Sequence, residues 1–126
     1  MVFEHFAVNV ADVAKVVQWY TTHLGLEVAS QQASSPFMTF LKDSSGRVVF
    51  EFYQRTDAPV TSFSEVHPGT FHVAFISENA KKDSMRLEKE GAVFVEEVLK
   101  EDGSHLIMLR DPFHMPLQLC QRAINF

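Results

Sequence analysis

Two stretches of this chain share one pattern at one spacing, and that duplication limits the folds open to it. In Phe3-Glu4-His5-Phe6-Ala7-Val8-Asn9, His5 and Ala7 fall on one side of an extended chain and Phe6 and Val8 on the other. In Gly69-Thr70-Phe71-His72-Val73-Ala74-Phe75, the apolar Phe71, Val73 and Phe75 alternate with His72 and Ala74 in the same way. The two histidines are 67 residues apart (5 and 72). Glu51 and Gln118 have the same separation, inside Phe50-Glu51-Phe52 and Leu117-Gln118-Leu119, where the polar residue again sits between two apolar ones. Two independent pairs with one offset point to a duplicated unit. A repeat this short cannot bury its own hydrophobic face, so the halves are expected to pair into one body.

The segments between these strands repeat as well. Residues 2–10 read as a strand, and Asp12 as the N-cap of a helix. Val13, Val16, Val17, Tyr20 and Leu24 form its apolar stripe, and Gly25 ends it. Strands are expected over 26–32, 36–42 and 47–54, with a turn at Asp43-Ser44-Ser45-Gly46. The stretch from Arg55 to Pro68 breaks the pattern and reads as a linker with a short helical turn at 62–66. The order then recurs. A strand covers 69–77, and a helix capped by Ser77 or Asn79 turns Ala80, Ser84 and Leu87 inward. Strands over 92–100, 104–110 and 115–121 follow. The expected domain is single, with modules at 1–57 and 69–126 joined by residues 58–68. Each module runs strand, helix, strand, strand, strand.

Composition excludes several classes. The net charge is −5 and no basic stripe is present, which argues against a nucleic-acid partner. No apolar run approaches the ~20 residues of a membrane span. The N-terminus lacks the basic and apolar regions of a signal peptide, and the single cysteine, Cys120, fits a reducing compartment. A cytoplasmic location is the expectation.

His5, Glu51, His72 and Gln118 each lie opposite an apolar strand face that should pack on a helix. The four are expected to point into the concavity of the sheet. If the first and last strands of each module are neighbours, His5 lies beside Glu51 and His72 beside Gln118. Two imidazoles and a carboxylate suit a divalent first-row metal, with Gln118 a weaker, neutral fourth donor. His105 is a further pocket candidate, while His114 reads as a surface residue. Cys120 shares the face of Gln118 and reads as a buried, inert thiol.

With these residues in view, the chain resembles the vicinal oxygen chelate superfamily, which includes glyoxalase I, extradiol dioxygenases, fosfomycin-resistance proteins, methylmalonyl-CoA epimerase and bleomycin-resistance proteins. The resemblance rests on the His5 and His72 strands, Phe50-Glu51-Phe52, the run Trp19-Tyr20-Thr21-Thr22-His23-Leu24-Gly25-Leu26, and Asp111-Pro112 leading to Pro116-Leu117-Gln118-Leu119. It implies an α+β fold of two βαβββ modules forming a U-shaped, eight-stranded mixed sheet. It also implies metal ligands at His5, Glu51, His72 and Gln118, and a divalent ion (Zn, Ni, Mn or Fe(II)).

The activity implied is that of a small metal-dependent lyase, isomerase or dioxygenase, acting on a small oxygenated metabolite that chelates the metal through two oxygens. Gln118 stands where glyoxalase I and the fosfomycin enzymes carry Glu. A carboxamide takes no proton near neutral pH, so strict glyoxalase I chemistry is not implied. Two arrangements remain open. In one, Glu51 acts as the catalytic base from the pseudo-symmetric position. In the other, His5, His72 and Glu51 form a two-histidine, one-carboxylate triad with Gln118 nearby. The alternative class is a metal-free binding protein like the bleomycin-resistance members. The resemblance also implies a homodimer.

Overall fold

A computed structural model describes residues 1–125 of the chain; Phe126, the last residue expected in the second module, lies outside the described residues. The chain divides into two units, Met1–Thr61 and the part from Ser62 onward. The first contains β1 (Phe6–Asn9), α1 (Val13–His23), β2 (Glu27–Gln31), β3 (Thr39–Lys42) and β4 (Val48–Tyr53). The second contains a 3-10 turn at Phe63–Glu65, then β5 (Val73–Ile76), α2 (Ala80–Lys89), β6 (Val93–Leu99), β7 (His105–Arg110) and β8 (Pro116–Gln121). Each unit builds one four-stranded mixed sheet, ordered β1-β4-β3-β2 in the first and β5-β8-β7-β6 in the second. The outer strands β1 and β5 run parallel to β4 and β8, and the other pairings are antiparallel. The architecture is α+β, as expected.

The duplication holds at the level of single hydrogen bonds. Phe6 pairs with Phe50 and Ala7 with Glu51; 67 residues on, Val73 pairs with Leu117 and Ala74 with Gln118. Asp12 and Asn79, at the same offset, are both N-caps, accepting from the amides of Lys15 and Lys82. A side-chain cap therefore satisfies one of the amides that each helix start leaves open. A further pair was not foreseen. The Gln54 side-chain oxygen accepts from the Val13 amide at 3.4 Å, and Gln121, 67 residues later, accepts from Ala80 at 3.1 Å. Each last strand thus caps the helix of its own unit. The bulge in the β2–β3 pair, between Val28 and Ser30, recurs in β6–β7 between Phe94 and Glu96, whereas the shift at Leu41/Lys42 in β3–β4 has no counterpart in β7–β8.

The helices dock largely as their periodicity dictates, except that Leu24, expected on the α1 stripe, is the half-buried C-cap, and Trp19, off the stripe, is buried. Helix α1 buries Val13, Val16, Val17, Trp19 and Tyr20. The Tyr20 ring is fully buried and stands 5.3 Å from each of Phe50 and Phe52, which stack on each other. Helix α2 is less apolar and buries Ala80, Ser84 and Leu87, the three residues the pattern selects. Full burial of each large apolar side chain contributes roughly 1.5–3 kcal/mol. Gly25 and Gly91 leave the two helices at φ +70 and +95, a backbone region that residues with a Cβ rarely enter.

The strands that open each module are shorter than the alternation predicts. Paired strand begins at Phe6 rather than residue 2, and at Val73 rather than residue 69. In the second unit, the His67 carbonyl accepts from the amides of Thr70 and Phe71, so the backbone turns until Phe71. Likewise β3 starts at Thr39, because the Phe37 amide closes a turn on Ser34 with φ 56 at Phe37. Alternation marks which residues suit a strand, but a ladder also needs a partner.

The segment between the modules is anchored at both ends. Asn9 accepts from the Arg55 amide and donates to the carbonyls of Arg55, Ala58 and Pro59. The Arg110 guanidinium donates to the carbonyls of Phe63, Val66 and His114 at 2.7–2.9 Å. Residues 55–59 are thus tied to the first unit, and 63–66 to the second.

Candidate functional site

His5 and His72 occupy equivalent places, each one residue before the first strand of its unit. Each lies two residues before the alanine that pairs with the polar residue of the last strand, Ala7 with Glu51 and Ala74 with Gln118. Because side chains alternate along a strand, histidine and partner share a face.

In the first unit this register brings the two groups together. His5 Nε2 lies 3.1 Å from Glu51 Oε2, with side-chain exposures of 26% and 13%. The other ring nitrogen, Nδ1, contacts the Glu4 carboxylate. Phe40, opposite Glu51 on β3, stands edge-on to the His5 ring with centroids 5.3 Å apart. Glu51 is thus flanked by an imidazole on one side and an aromatic ring on the other. Sequence reasoning missed Glu4 and Phe40. Phe40 alternates with the buried Thr39 and Leu41, so alternation alone carried a signal for it. Nothing in the sequence marks Glu4, whose contact depends on a side-chain rotamer.

In the second unit the register is the same but the contacts differ. His72 is exposed, and its Nδ1 donates to the Pro68 carbonyl at 2.8 Å. A carbonyl only accepts, so Nδ1 carries a proton and Nε2 is the ring nitrogen left for another partner. Gln118 does not bond His72. Its Oε1 accepts from the Cys120 thiol at 3.2 Å. Cys120 is 3% exposed, and burial pushes its thiol up from the usual value, as a protonated, unreactive group requires. Met108 lies opposite Gln118 on β7 and is buried.

The second unit holds two further histidines of note, His105 and His114. His105 Nε2 meets Glu97 at 2.7 Å, and Glu97 also takes the Lys81 ammonium at 3.1 Å. Those two hydrogen bonds, Lys81 first, lower the Glu97 carboxyl pKa. His114 is exposed at φ 71, in the tight turn where the first unit uses Gly46 at φ 83. Among the described residues, no three of His, Cys, Asp and Glu form a metal-holding group, so within each unit the site is a pair: His5 with Glu51, and His72 with Gln118. No described helix is long and apolar enough to cross a membrane.

Comparison with known proteins agrees with this architecture. A glyoxalase family protein from Bacillus cereus superposes with a TM-score of 0.76 at 14% identity, over 94% of this chain and 91% of that one. A glyoxalase family protein from Enterococcus faecalis gives 0.71 at 21% identity, over 94% and 96%. TnmS3, an antibiotic binding protein from Streptomyces sp. CB03234, gives 0.69 at 15% identity, over 95% and 94%. At such identities the likeness shows a shared fold. No curated protein sequence matches the chain. The sequence profile of the Glyoxalase/Bleomycin resistance protein/Dioxygenase superfamily matches residues 2–119. With nearly the whole chain matched and the duplicated βαβββ units in place, this protein belongs to the glyoxalase/bleomycin resistance protein/dioxygenase superfamily.

Proposed function

We propose that this chain is a small metal-dependent enzyme, a lyase, isomerase or dioxygenase acting on a small oxygenated metabolite. His5, Glu51 and His72 are the donors to a divalent ion (Zn, Ni, Mn or Fe(II)), and Gln118, the fourth polar residue, is left outside the donor set because Cys120 engages its oxygen. The observation that carries this reading is how the two histidines are held. In each, Nδ1 faces an oxygen, of Glu4 or of Pro68, so Nε2 is turned the other way, toward Glu51 in His5 and without a protein partner among the described residues in His72. Histidines that bind metals are oriented by such outer partners. The donor chemistry also fits. His5 Nε2 and Glu51 Oε2, 3.1 Å apart, are an imidazole nitrogen and a carboxylate oxygen side by side, donor types that divalent first-row ions would take. An ion held there would take the place of the hydrogen bond between the two groups.

A bound divalent ion supplies Lewis-acid stabilisation to two neighbouring substrate oxygens. Glu51 is the catalytic base of this scheme. It is the only carboxylate of the four, is mostly shielded from water, and has His5 beside it to orient its oxygens. Phe40 offers an apolar wall for the substrate carbon next to the reacting centre. The proposal extends to a homodimer, supported by the uncovered apolar side chains of β6, where Val93 is 58% and Leu99 74% exposed. Light scattering showing a monomer would remove that part.

Metal analysis of protein purified without chelator tests the central claim, together with thermal shift on adding Zn, Ni, Mn or Fe(II). His5→Ala, Glu51→Gln and His72→Ala should each weaken binding by about tenfold or more. No bound metal and no thermal shift would overturn it. The expected result is one ion per chain in the parent, with binding weakened in all three variants.

One observation favours a second reading, a metal-free small-molecule binder: the fourth position is a neutral amide already engaged by Cys120. TnmS3, a protein of the same fold, is an antibiotic binding protein. A tight one-to-one complex with an aromatic or cationic drug, retained in His5→Ala and His72→Ala, would select it.

A further inference from the structure

The Gln118 carboxamide is half engaged and half free. Its oxygen accepts from the Cys120 thiol at 3.2 Å, and its NH2 group has no partner among the described residues. Cys120 is two positions along the same strand, so both side chains leave β8 on one face. A thiol has a single hydrogen to give, and its natural partner is the amide oxygen rather than the amide nitrogen. That bond fixes which end of the carboxamide is occupied. The NH2 end remains, on the face that also carries His72. Met108 lies directly opposite Gln118, and the site there is only half open to water, so an unpaired donor gains more from a ligand than it would on an open surface.

We propose that Gln118 is a hydrogen-bond donor to an oxygen of the bound small molecule, and that Cys120 is the positioning residue that turns its amide into that role. The clause concerning the ligand rests on the proposed function above; the Cys120–Gln118 link stands without it. The ligand class is one with a carboxylate, carbonyl or enolate oxygen next to its metal-chelating oxygens. Gln118 then selects the substrate by its accepting oxygen, and the ion draws its donors from His5, Glu51 and His72.

The test follows the Gln118 side-chain NH2 resonances by 15N NMR in the parent, Cys120→Ser and Cys120→Ala. Oxalate serves as the probe ligand, with and without Zn(II). In the parent and in Cys120→Ser, whose hydroxyl also donates, the two amide protons should be well separated and move downfield as oxalate is added. In Cys120→Ala they should collapse toward the positions of a free glutamine side chain. Oxalate affinity should fall by about three- to tenfold in Cys120→Ala and in Gln118→Met, the loss expected for one neutral hydrogen bond. Combining the two substitutions should add nothing further. Zn(II) affinity should stay the same in all of these variants.

A tenfold loss of Zn(II) affinity in Gln118→Met would overturn the proposal, because it would make the amide oxygen a ligand. So would Gln118 resonances that ignore Cys120→Ala or oxalate. If Zn(II) binds no form of the protein, the metal reading fails. The oxalate titration of the metal-free protein then decides the Gln118 proposal by the same resonances.

Discussion

Leu87→Ala measures how much of the second unit depends on one side chain. Helix α2 buries Ala80, Ser84 and Leu87, and Leu87 is the only large apolar residue among them, at 0% exposure. Truncation removes three carbons from a fully dry site, and at about 0.8 kcal/mol each the lost transfer energy is about 2.4 kcal/mol. The void adds to this, because the β7 and β8 side chains beneath cannot follow the backbone inward; about 50 Å³ of residual cavity costs about 1.2 kcal/mol. The expected destabilisation is therefore about 3.5 kcal/mol, a large part of the stability of a small domain.

Urea unfolding followed by far-UV circular dichroism reads the loss, since both helices contribute. Trp19, Tyr20 and Tyr53 are the only Trp and Tyr residues and all lie in the first unit, so fluorescence reports that unit separately. Met85→Ala on the same helix is the control. Its side chain is 56% exposed and should cost less than about 0.5 kcal/mol. A Leu87→Ala loss below about 1 kcal/mol, with an unchanged m-value, would refute the claim that this residue anchors α2.

Two other outcomes follow from hydrogen bonding and charge. Gln54→Leu and Gln121→Leu should each cost about 0.5–1.5 kcal/mol in urea unfolding, with the larger effect at Gln121, whose bond is shorter; equal stability to the parent would mean water replaces the cap. Acidification should lower stability. Asp43 is held below the usual carboxyl range by the Ser45 hydroxyl and amide, and Glu97 by Lys81 and then His105. A depressed folded-state pKa gives stability that is present above the unfolded value of about 4 and lost as pH falls through the folded one. The urea midpoint should therefore drop below about pH 4, and Asp43→Asn should flatten part of that drop. A midpoint rising on acidification would contradict the assignment.

Much of the fold was legible because its signals are local. Asp12 and Asn79 announce helix starts through a side chain that reaches its own third amide. Ala80, Ser84 and Leu87 announce a buried face through spacing alone. Strand limits were less legible, since Phe3 and Phe71 suit a strand yet lie before the paired residues. Gln54 and Gln121 look like ordinary strand-end polar residues, and only the approach of β4 and β8 to the helix starts gives them a task.

The same division runs through the candidate site. The 67-residue offset matches His5 to His72 and Glu51 to Gln118, and alternation sets the face each occupies; the parallel pairing of β1 with β4 and of β5 with β8 is what brings histidine and partner to one face. What the two pairs do was left to tertiary structure. His5 reaches Glu51, while His72 turns to the Pro68 carbonyl and Gln118 to Cys120. Sequence determines the face a residue occupies, since one backbone period decides it. The end of an imidazole or amide that faces a ligand is chosen by the rotamer and by the nearest oxygen, and those exist only once the chain has folded.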